Sequence, residues 1–589
     1  MGAQMEGNMN VGQGNRTFLS DVIGEDYKNW LQGSAIMIKA PTGCGKSYFI
    51  LHKLLSEYAR PSIVNSIGIP RRILYMVNRK ILKEQLIQQC KEIERKLTLR
   101  YGTCINIWNY IKIYTYQEIE YQLKNGAIDP LGLLIKDKDD KLTASYYYTT
   151  AVYDECHYFY ADADFNPGAM ESYNYLTKYL SGVTQIFMSA TIENIEKKIR
   201  YDLETIMGIG VPVRDPYKMA ANYDYIDLHY IEDSNEAVKL VEERKHEKWL
   251  IFIDNIKKGK ELAKKLGELY EPKSEEQIAF IDARYRENED GSKSMKELTV
   301  NELVRRSVLI ATPVLDNGVS FKDIELRNLI IMADVEEEFI QMIGRKRQDG
   351  QNVSVYVCKR DRNYFNTRLN NVNENLKLYN TYKGLFAKMR PELAQQYILD
   401  TMFSSEKNYR MLKRFCYFKM GFIIMSELSY YKLLGLQEFY NRMVKMMEAD
   451  ENAFLKQQAQ WLGFSEERIQ EFLTRETGNR LNDNKRELLA ALEELLEENE
   501  QVTYSVEENK KYLKKNKMVR ELFIYFIRGA DAEKGDNNIK KMITDLGKND
   551  RPMQPETFNL CMDQAGLNFE MVKEGDKNFI IRRKVDKKE

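Results

Sequence analysis

Ala40-Pro41-Thr42-Gly43-Cys44-Gly45-Lys46-Ser47 decides the fold of this chain. It follows the apolar run Ala35–Ile38 and precedes a helical pattern carrying Ile50, Leu51, Leu54 and Leu55. Strand, loop and helix in that order are what a phosphate-binding (Walker A) loop requires. Gly43 and Gly45 let backbone N–H groups close around phosphate oxygens, and the helix N-terminus adds its positive dipole end. Thr42 and Cys44 lie in the same cradle, Lys46 reaches toward the β- and γ-phosphates, and the Ser47 hydroxyl suits Mg²⁺. An ordinary Gly-rich strand–helix turn has the same outline, and Ala40 stands where the general pattern has glycine.

Outward from this loop, short apolar runs alternate with helical patterns from about Asp21 to Lys359. Ile73–Val77, Ile111–Tyr114, Ala151–Tyr153 and Gln185–Met188 form one series with Ala35–Ile38. Trp249–Ile253, Ile278–Ile281, Val308–Ile310, Leu329–Met332 and Val353–Val357 form a second. Buried runs separated by helices imply parallel sheets covered on both faces, so two α/β domains are expected in tandem, meeting near Pro212–Asn222. Ala151–His157 reads as a strand ending in Asp154-Glu155-Cys156-His157. An Asp-Glu pair ending a strand is also what a helix N-cap looks like. About one hundred residues after a phosphate loop, it reads instead as a Walker B pair. Asp154 would hold Mg²⁺, usually through water, and Glu155 would orient and deprotonate the attacking water.

Together, Ala40–Ser47 and Asp154–His157 resemble motifs I and II of the superfamily 2 helicases, in particular the DExH-box group, and the remaining motifs follow in order. Ile73–Gln85 resembles motif Ia, which implies nucleic-acid backbone contacts from Asn78 and Arg79; Tyr114–Gln117 resembles the Thr-Tyr-Gln element and implies the same for Thr115. Ser189-Ala190-Thr191 matches motif III, which couples hydrolysis to strand movement, and Ile251–Asn255 is similar to motif IV. Ala311–Gly318 resembles motif V, implying that Thr312 contacts nucleic acid and Gly318 nucleotide. Gln341–Gln348 resembles motif VI, implying catalytic roles for Gln341 and Arg345. That motif departs from the family: Gln348 stands where a second arginine is usual, and Arg347 comes one residue early, so either Arg347 takes the second catalytic role from a shifted turn or one finger is missing. His157 would report the nucleotide state to neighbouring polar loops. The resemblance covers about three-fifths of the chain.

The resemblance implies two RecA-like domains, 21–215 and 216–360, behind a flexible N-terminus at 1–20. ATP would lie between them, with Mg²⁺ on Ser47 and Asp154. After Arg360 strand runs give way to helical periodicities such as Asn373–Met389, Ala394–Phe403 and Tyr409–Met425, so 361–589 is expected to be mostly helical. Lys485–Glu500 puts Leu488, Leu489, Leu492, Leu495 and Leu496 on one face of an acidic helix. Lys510–Arg520 reads as a basic helix, Ala459–Leu473 has helix-turn-helix character, and Phe569–Val572 with Phe579–Arg582 reads as a closing strand pair.

Composition bounds the rest. Lys and Arg number 88, as do Asp and Glu, within 589 residues. Neutrality argues against a nucleic-acid partner held by bulk charge, though local basic surfaces remain open beneath a zero sum. The apolar fraction of 43% excludes a disordered polymer, and no apolar run approaches the ~18–20 residues of a membrane span. Seven cysteines without a C-x-x-C pair argue against a zinc ribbon and suit a reducing cytosol. The expectation is therefore a cytoplasmic ATP-dependent helicase or translocase on RNA or DNA, most readily single-stranded, with the C-terminal region open to a protein partner and no membrane. The alternatives are a duplex translocase or an ATP-gated clamp serving a partner, such as a nuclease in bacterial defence or a mobile element.

Overall fold

Strands buried on both faces must be joined by helices, and both apolar series fold that way. The computed structural model describes residues 17–61, 71–132, 134–136, 142–144, 147–180, 182–205, 212–271, 277–282, 303–312, 321–346, 348–496, 501–531, 537–546, 552–575 and 577–584. The first series supplies β1 (Ala35–Lys39), β2 (Ile73–Val77), β3 (Ile111–Thr115), a separate hairpin of β4 (Leu134–Lys136) and β5 (Leu142–Ala144), then β6 (Thr150–Asp154), β7 (Thr184–Ser189) and β8 (Val213–Lys218). Six of them form a parallel sheet in the order β3-β2-β6-β7-β1-β8. The second series supplies β9 (Ile226–Ile231), β10 (Lys248–Ile253), β11 (Ile278–Ile281), β12 (Val308–Ala311), β13 (Leu326–Met332) and β14 (Val353–Cys358). These form a parallel sheet in the order β11-β12-β10-β13-β14-β9. Two tandem RecA-like domains result. β8 pairs with β1, so the chain crosses between sheets over Met219–Tyr225 rather than at residue 215.

One segment expected to be helical is not. Within Tyr409–Met425, the helix Glu406–Leu412 stops, and Cys416–Lys419 (β15) pairs antiparallel with Phe422–Met425 (β16). Aromatic and β-branched side chains favour the strands. Between them Met420 (φ +48) and Gly421 (φ +83) make a two-residue turn with both φ angles positive, whose twist matches that of the flanking strands. Apolar periodicity alone does not separate such a hairpin from a buried helix.

The region after Arg360 also divides. Helices Arg362–Lys388, Pro391–Phe403, Glu427–Ala449 and Ala453–Trp461 belong with the two sheets in one compact unit, and a second unit begins at Glu466. That unit opens with the helix Glu466–Leu496, whose Leu488, Leu492, Leu495 and Leu496 enter a core with Phe523, Phe526 and Phe558. Its antiparallel sheet has the order β17 (Gln501–Ser505), β19 (Asn578–Arg583), β18 (Phe569–Glu574). The basic stretch Lys510–Arg520 breaks at Asn516, between helices Val506–Lys515 and Lys517–Asp531. At the other end Leu19 already starts a short helix, its N–H donating to the Cys44 carbonyl (2.9 Å); residues 1–16 of the expected flexible tail lie outside the described residues. No helix among the described residues is long and apolar enough to cross a membrane.

Candidate functional site

In a parallel sheet all carboxyl ends share one edge, so the loops after β1, β2, β3, β6 and β7 meet there. The loop after β1 takes positive φ at Gly43 (+83) and Gly45 (+91). A Cβ on Gly45 would meet nothing closer than 3.7 Å, so that glycine serves the backbone angle rather than space. Lys46 is buried; its Nζ donates to the Ala40 carbonyl at 3.0 Å and lies 3.6 Å from Glu155 Oε1. Burial pulls the Lys46 pKa down, but Glu155, then Cys44 and Asp154, outweigh it and hold it above the usual value.

β6 brings the acidic pair to the same edge. Asp154 is pushed up to about 6 by burial and by Glu155, against Lys46 and a hydrogen bond from Tyr75. The Tyr75 hydroxyl donates to Asp154 Oδ2 at 2.8 Å and also meets Ser47, so it joins the two expected Mg²⁺ ligands. Glu155 is a non-glycine residue at φ +51, which turns the chain sharply off the strand end. Such strain persists only where the surroundings impose it, and it collects at functional sites. Burial opposes ionisation of Glu155, but Lys46, His157 and Arg345 together hold its carboxyl below the usual range. His157 Nδ1 is 3.0 Å from Ser189 Oγ and 3.3 Å from Glu155 Oε2, and only the first contact has hydrogen-bond geometry. Ser189 Oγ accepts in turn from the Thr191 N–H at 3.0 Å. Glu155, His157, Ser189 and Thr191 are thus one contiguous chain.

The second domain contributes through the helix Glu336–Ile343 and the turn after it. Arg345 is buried, with Nε donating to the Gln341 carbonyl (3.1 Å) and Nη2 to Gln341 Oε1 (2.7 Å). Its charge acts on both Lys46 and Glu155. Gly344 comes so close to the phosphate loop that a Cβ there would lie 2.8 Å from Thr42 Oγ1. Lys346 fixes the turn from beneath, donating to the Asp323 carbonyl (2.8 Å) and Asp349 (2.7 Å). The segments Ala40–Ser47, Asp154–His157, Ser189–Thr191 and Gln341–Arg345 therefore converge. Gln348 is exposed; Arg347 and Gly318 lie outside the described residues.

Glu155 Oε2, Thr191 Oγ1 and Gln341 Nε2 are buried without a hydrogen-bond partner among the described residues. Buried polar atoms are nearly always bonded, so three along these connected segments suit a polar ligand. No group of three or more His, Cys, Asp or Glu among the described residues is placed to hold a metal. Ser47 with Asp154 nevertheless fits Mg²⁺, which takes one or two protein oxygens and completes its shell with substrate phosphates and water.

The residues expected to grip nucleic acid are less open than the resemblance implies. Asn78 and Thr312 are buried, and Asn78 accepts through its carbonyl from Gln117 (2.7 Å). Thr115 is buried too; its hydroxyl caps the helix Tyr116–Lys124, accepting from the Glu118 N–H. Arg79 is about one-third exposed and faces Asp162 at 3.4 Å. Sequence reasoning missed Tyr75, Lys346 and Asp162. A tyrosine inside an apolar strand carries a signal, since its hydroxyl needs a partner; the other two depend on tertiary neighbours alone.

Residues 21–194 match the family described as type III restriction enzyme, res subunit. The match covers 174 of the 589 residues. The chain is similar to solved structures at low identity. Mycobacterium smegmatis Lhr, bound to single-stranded DNA and AMP-PNP, is 15% identical with a TM-score of 0.40, over 59% of this chain and 46% of that one. Escherichia coli HrpB, a DEAH/RHA helicase, is 13% identical with a TM-score of 0.34, over 58% and 42%. Saccharomyces cerevisiae Dbp5, bound to RNA and ADP BeF3, is 14% identical with a TM-score of 0.39, over 59% and 83%. The chain thus spans less than half the length of Lhr and HrpB. No curated protein matches the sequence.

Proposed function

We propose that the protein is a DExH-type, nucleic-acid-stimulated ATPase that moves along or unwinds RNA or DNA. The observation that carries this reading is the position of Glu155: strained, mostly shielded from solvent, held ionised by Lys46, and within the field of Arg345 from the second domain. Lys46 and the Gly43–Gly45 amides bind the phosphates of ATP. Glu155 Oε2 orients a water and takes its proton, with Lys46 keeping that carboxylate ionised. Mg²⁺ on Ser47 and Asp154 would neutralise phosphate charge. Arg345, held by Gln341, stabilises charge on the terminal phosphate, a role worth about 10³–10⁵ in rate elsewhere. His157 and Ser189 relay the state of Glu155 to Thr191. Closure of the domains needs both halves to be satisfied, and hydrolysis releases it.

The assay is ATP turnover with and without single-stranded RNA, single-stranded DNA and duplex, alongside strand displacement on tailed duplexes. Stimulation by a single strand, lost in Glu155→Gln, is expected. Absence of stimulation by any nucleic acid sinks the reading. The restriction-subunit match favours one rival, a duplex translocase serving a nuclease in bacterial defence, and stimulation without displacement selects it. The exposed Gln348 favours another, an ATP-gated clamp, which tight binding with slow turnover selects.

A further inference from the structure

Eight of the 25 large apolar or aromatic side chains exposed among the described residues fall between Met389 and Phe422, a stretch holding well under a tenth of the chain. Exposed patches of that kind mark interaction sites. The chain as a whole is neutral, yet Lys388–Met425 carries seven Lys and Arg against three Asp and Glu. Arg410 pairs with Glu406 and Lys419 with Glu171. Lys388, Arg390, Lys407, Lys413 and Arg414 are exposed and have no ion pair among the described residues.

Rings and cations are interleaved here. Phe403, two-thirds exposed, stacks on Tyr409 with centroids 6.0 Å apart and planes 30° apart, and Lys413 Nζ sits 5.9 Å from the Tyr409 centroid. The surface is also anchored beside the helicase core. Gln395 ties the helix Pro391–Phe403 to the hairpin through the Gly421 carbonyl (3.0 Å). The Met420 N–H, at the hairpin tip, donates to the Lys124 carbonyl (3.3 Å). Lys124 ends the helix that Thr115 begins, about 13 Å along its axis.

We propose that the face carried by residues 388–422 is a second nucleic-acid contact, a stacking platform for unpaired bases with phosphate-binding cations around it, set at the Lys124 end of the helix that Thr115 begins. Stackable rings with unpaired Lys and Arg are what a single strand uses. Protein interfaces, by contrast, are depleted in lysine. The proposal rests on the nucleic-acid motor reading above.

The test measures binding of the full-length protein to a fluorescent twenty-nucleotide poly-U or poly-dT strand by anisotropy across a salt series. Phe403→Ala/Tyr409→Ala should weaken binding roughly tenfold or more. Lys388→Ala/Lys413→Ala/Arg414→Ala should flatten the slope of log affinity against log salt by about 2. Unchanged thermal unfolding in both variants establishes that the fold is kept. If the wild-type chain binds and is stimulated while both variants match it in affinity and salt slope, the platform is refuted and the motor reading survives. If the variants keep nucleic-acid affinity but lose a self-associated state, the face serves a second copy and the proposal is equally refuted. A wild-type chain that no strand stimulates is instead a failure of the motor reading.

Discussion

Glu336→Gln probes the seam between the two RecA-like domains. Glu336 starts the helix Glu336–Ile343; Glu337, beside it, accepts from Asn194 of the first domain, and Glu193 pairs with Lys39 at the end of β1. Burial first, then Glu337 and Glu193, push Glu336 up to about 7, against Lys39 and Arg442. A carboxyl raised from 4.5 to about 7 contributes stability that is fully present below pH 4.5 and lost as pH rises to about 7. Its full worth is up to about 3 kcal/mol, and partial exposure lowers this to about 1–3. The opposing attraction of a carboxylate for the helix N-terminus is only about 0.3–1 kcal/mol, so crowding wins. The assay is thermal unfolding from pH 5 to 8.5, taking the transition of the unit that holds both sheets. Wild type should lose stability between pH 5 and 7.5, and Glu336→Gln should show a flatter profile and melt higher by one to several degrees at pH 8. Identical pH slopes, or a variant that melts lower at pH 8, would refute the crowding argument.

Gln341→Ala removes the acceptor that aims Arg345, so ATP turnover should fall at least about tenfold with little change in the KM for ATP. Lys432→Met breaks a buried pair, since its Nζ bonds Asp164 and the Ala161 carbonyl. Because Asp164 is partly exposed, the loss should be about 2–3 kcal/mol rather than the 3–5 of a fully buried pair, read by chemical denaturation. Met420→Asn puts a residue tolerant of positive φ into the hairpin turn and should stabilise by about 0.5–1 kcal/mol, read as a higher melting temperature.

The candidate site was legible wherever its residues are contiguous in sequence. The phosphate loop and the Asp154–His157 box are contiguous runs between a strand and a helix, so spacing alone places each side chain at the sheet edge. Motif order then led to Arg345, whose partner Gln341 lies one helical turn away. Lys346 was not legible: a lysine in a basic run reads as solvated, and only the Asp323 carbonyl and Asp349 from distant segments bury it. Thr115 was legible as an element but not in its use, because its hydroxyl is engaged as a helix cap. The hairpin at Cys416–Met425 eluded periodicity because its turn depends on two φ angles, and only one of the two turn residues is a glycine. The division at Ser465 and Glu466 leaves no Pro- or Gly-rich linker to read; it is a matter of which faces find partners.

The helices after the second sheet also limit how far the two RecA-like domains can part. Arg368 on Arg362–Lys388 grips Asp254 and Asp334 of the second domain. Glu427–Ala449, packed along that helix, grips the first domain: Ser429 bonds the Ala163 carbonyl, Lys432 bonds Asp164, and a Cβ on Gly435 would collide with the Tyr160 hydroxyl. The first domain's end of this tether is fastened to the segment that directly follows Asp154–His157. Parting the sheets must therefore slide one helix past the other or draw Lys432 from its seat. On the motor reading proposed above, this tether would set the stroke of each cycle, and its slack, rather than the width of the cleft, would fix the largest step.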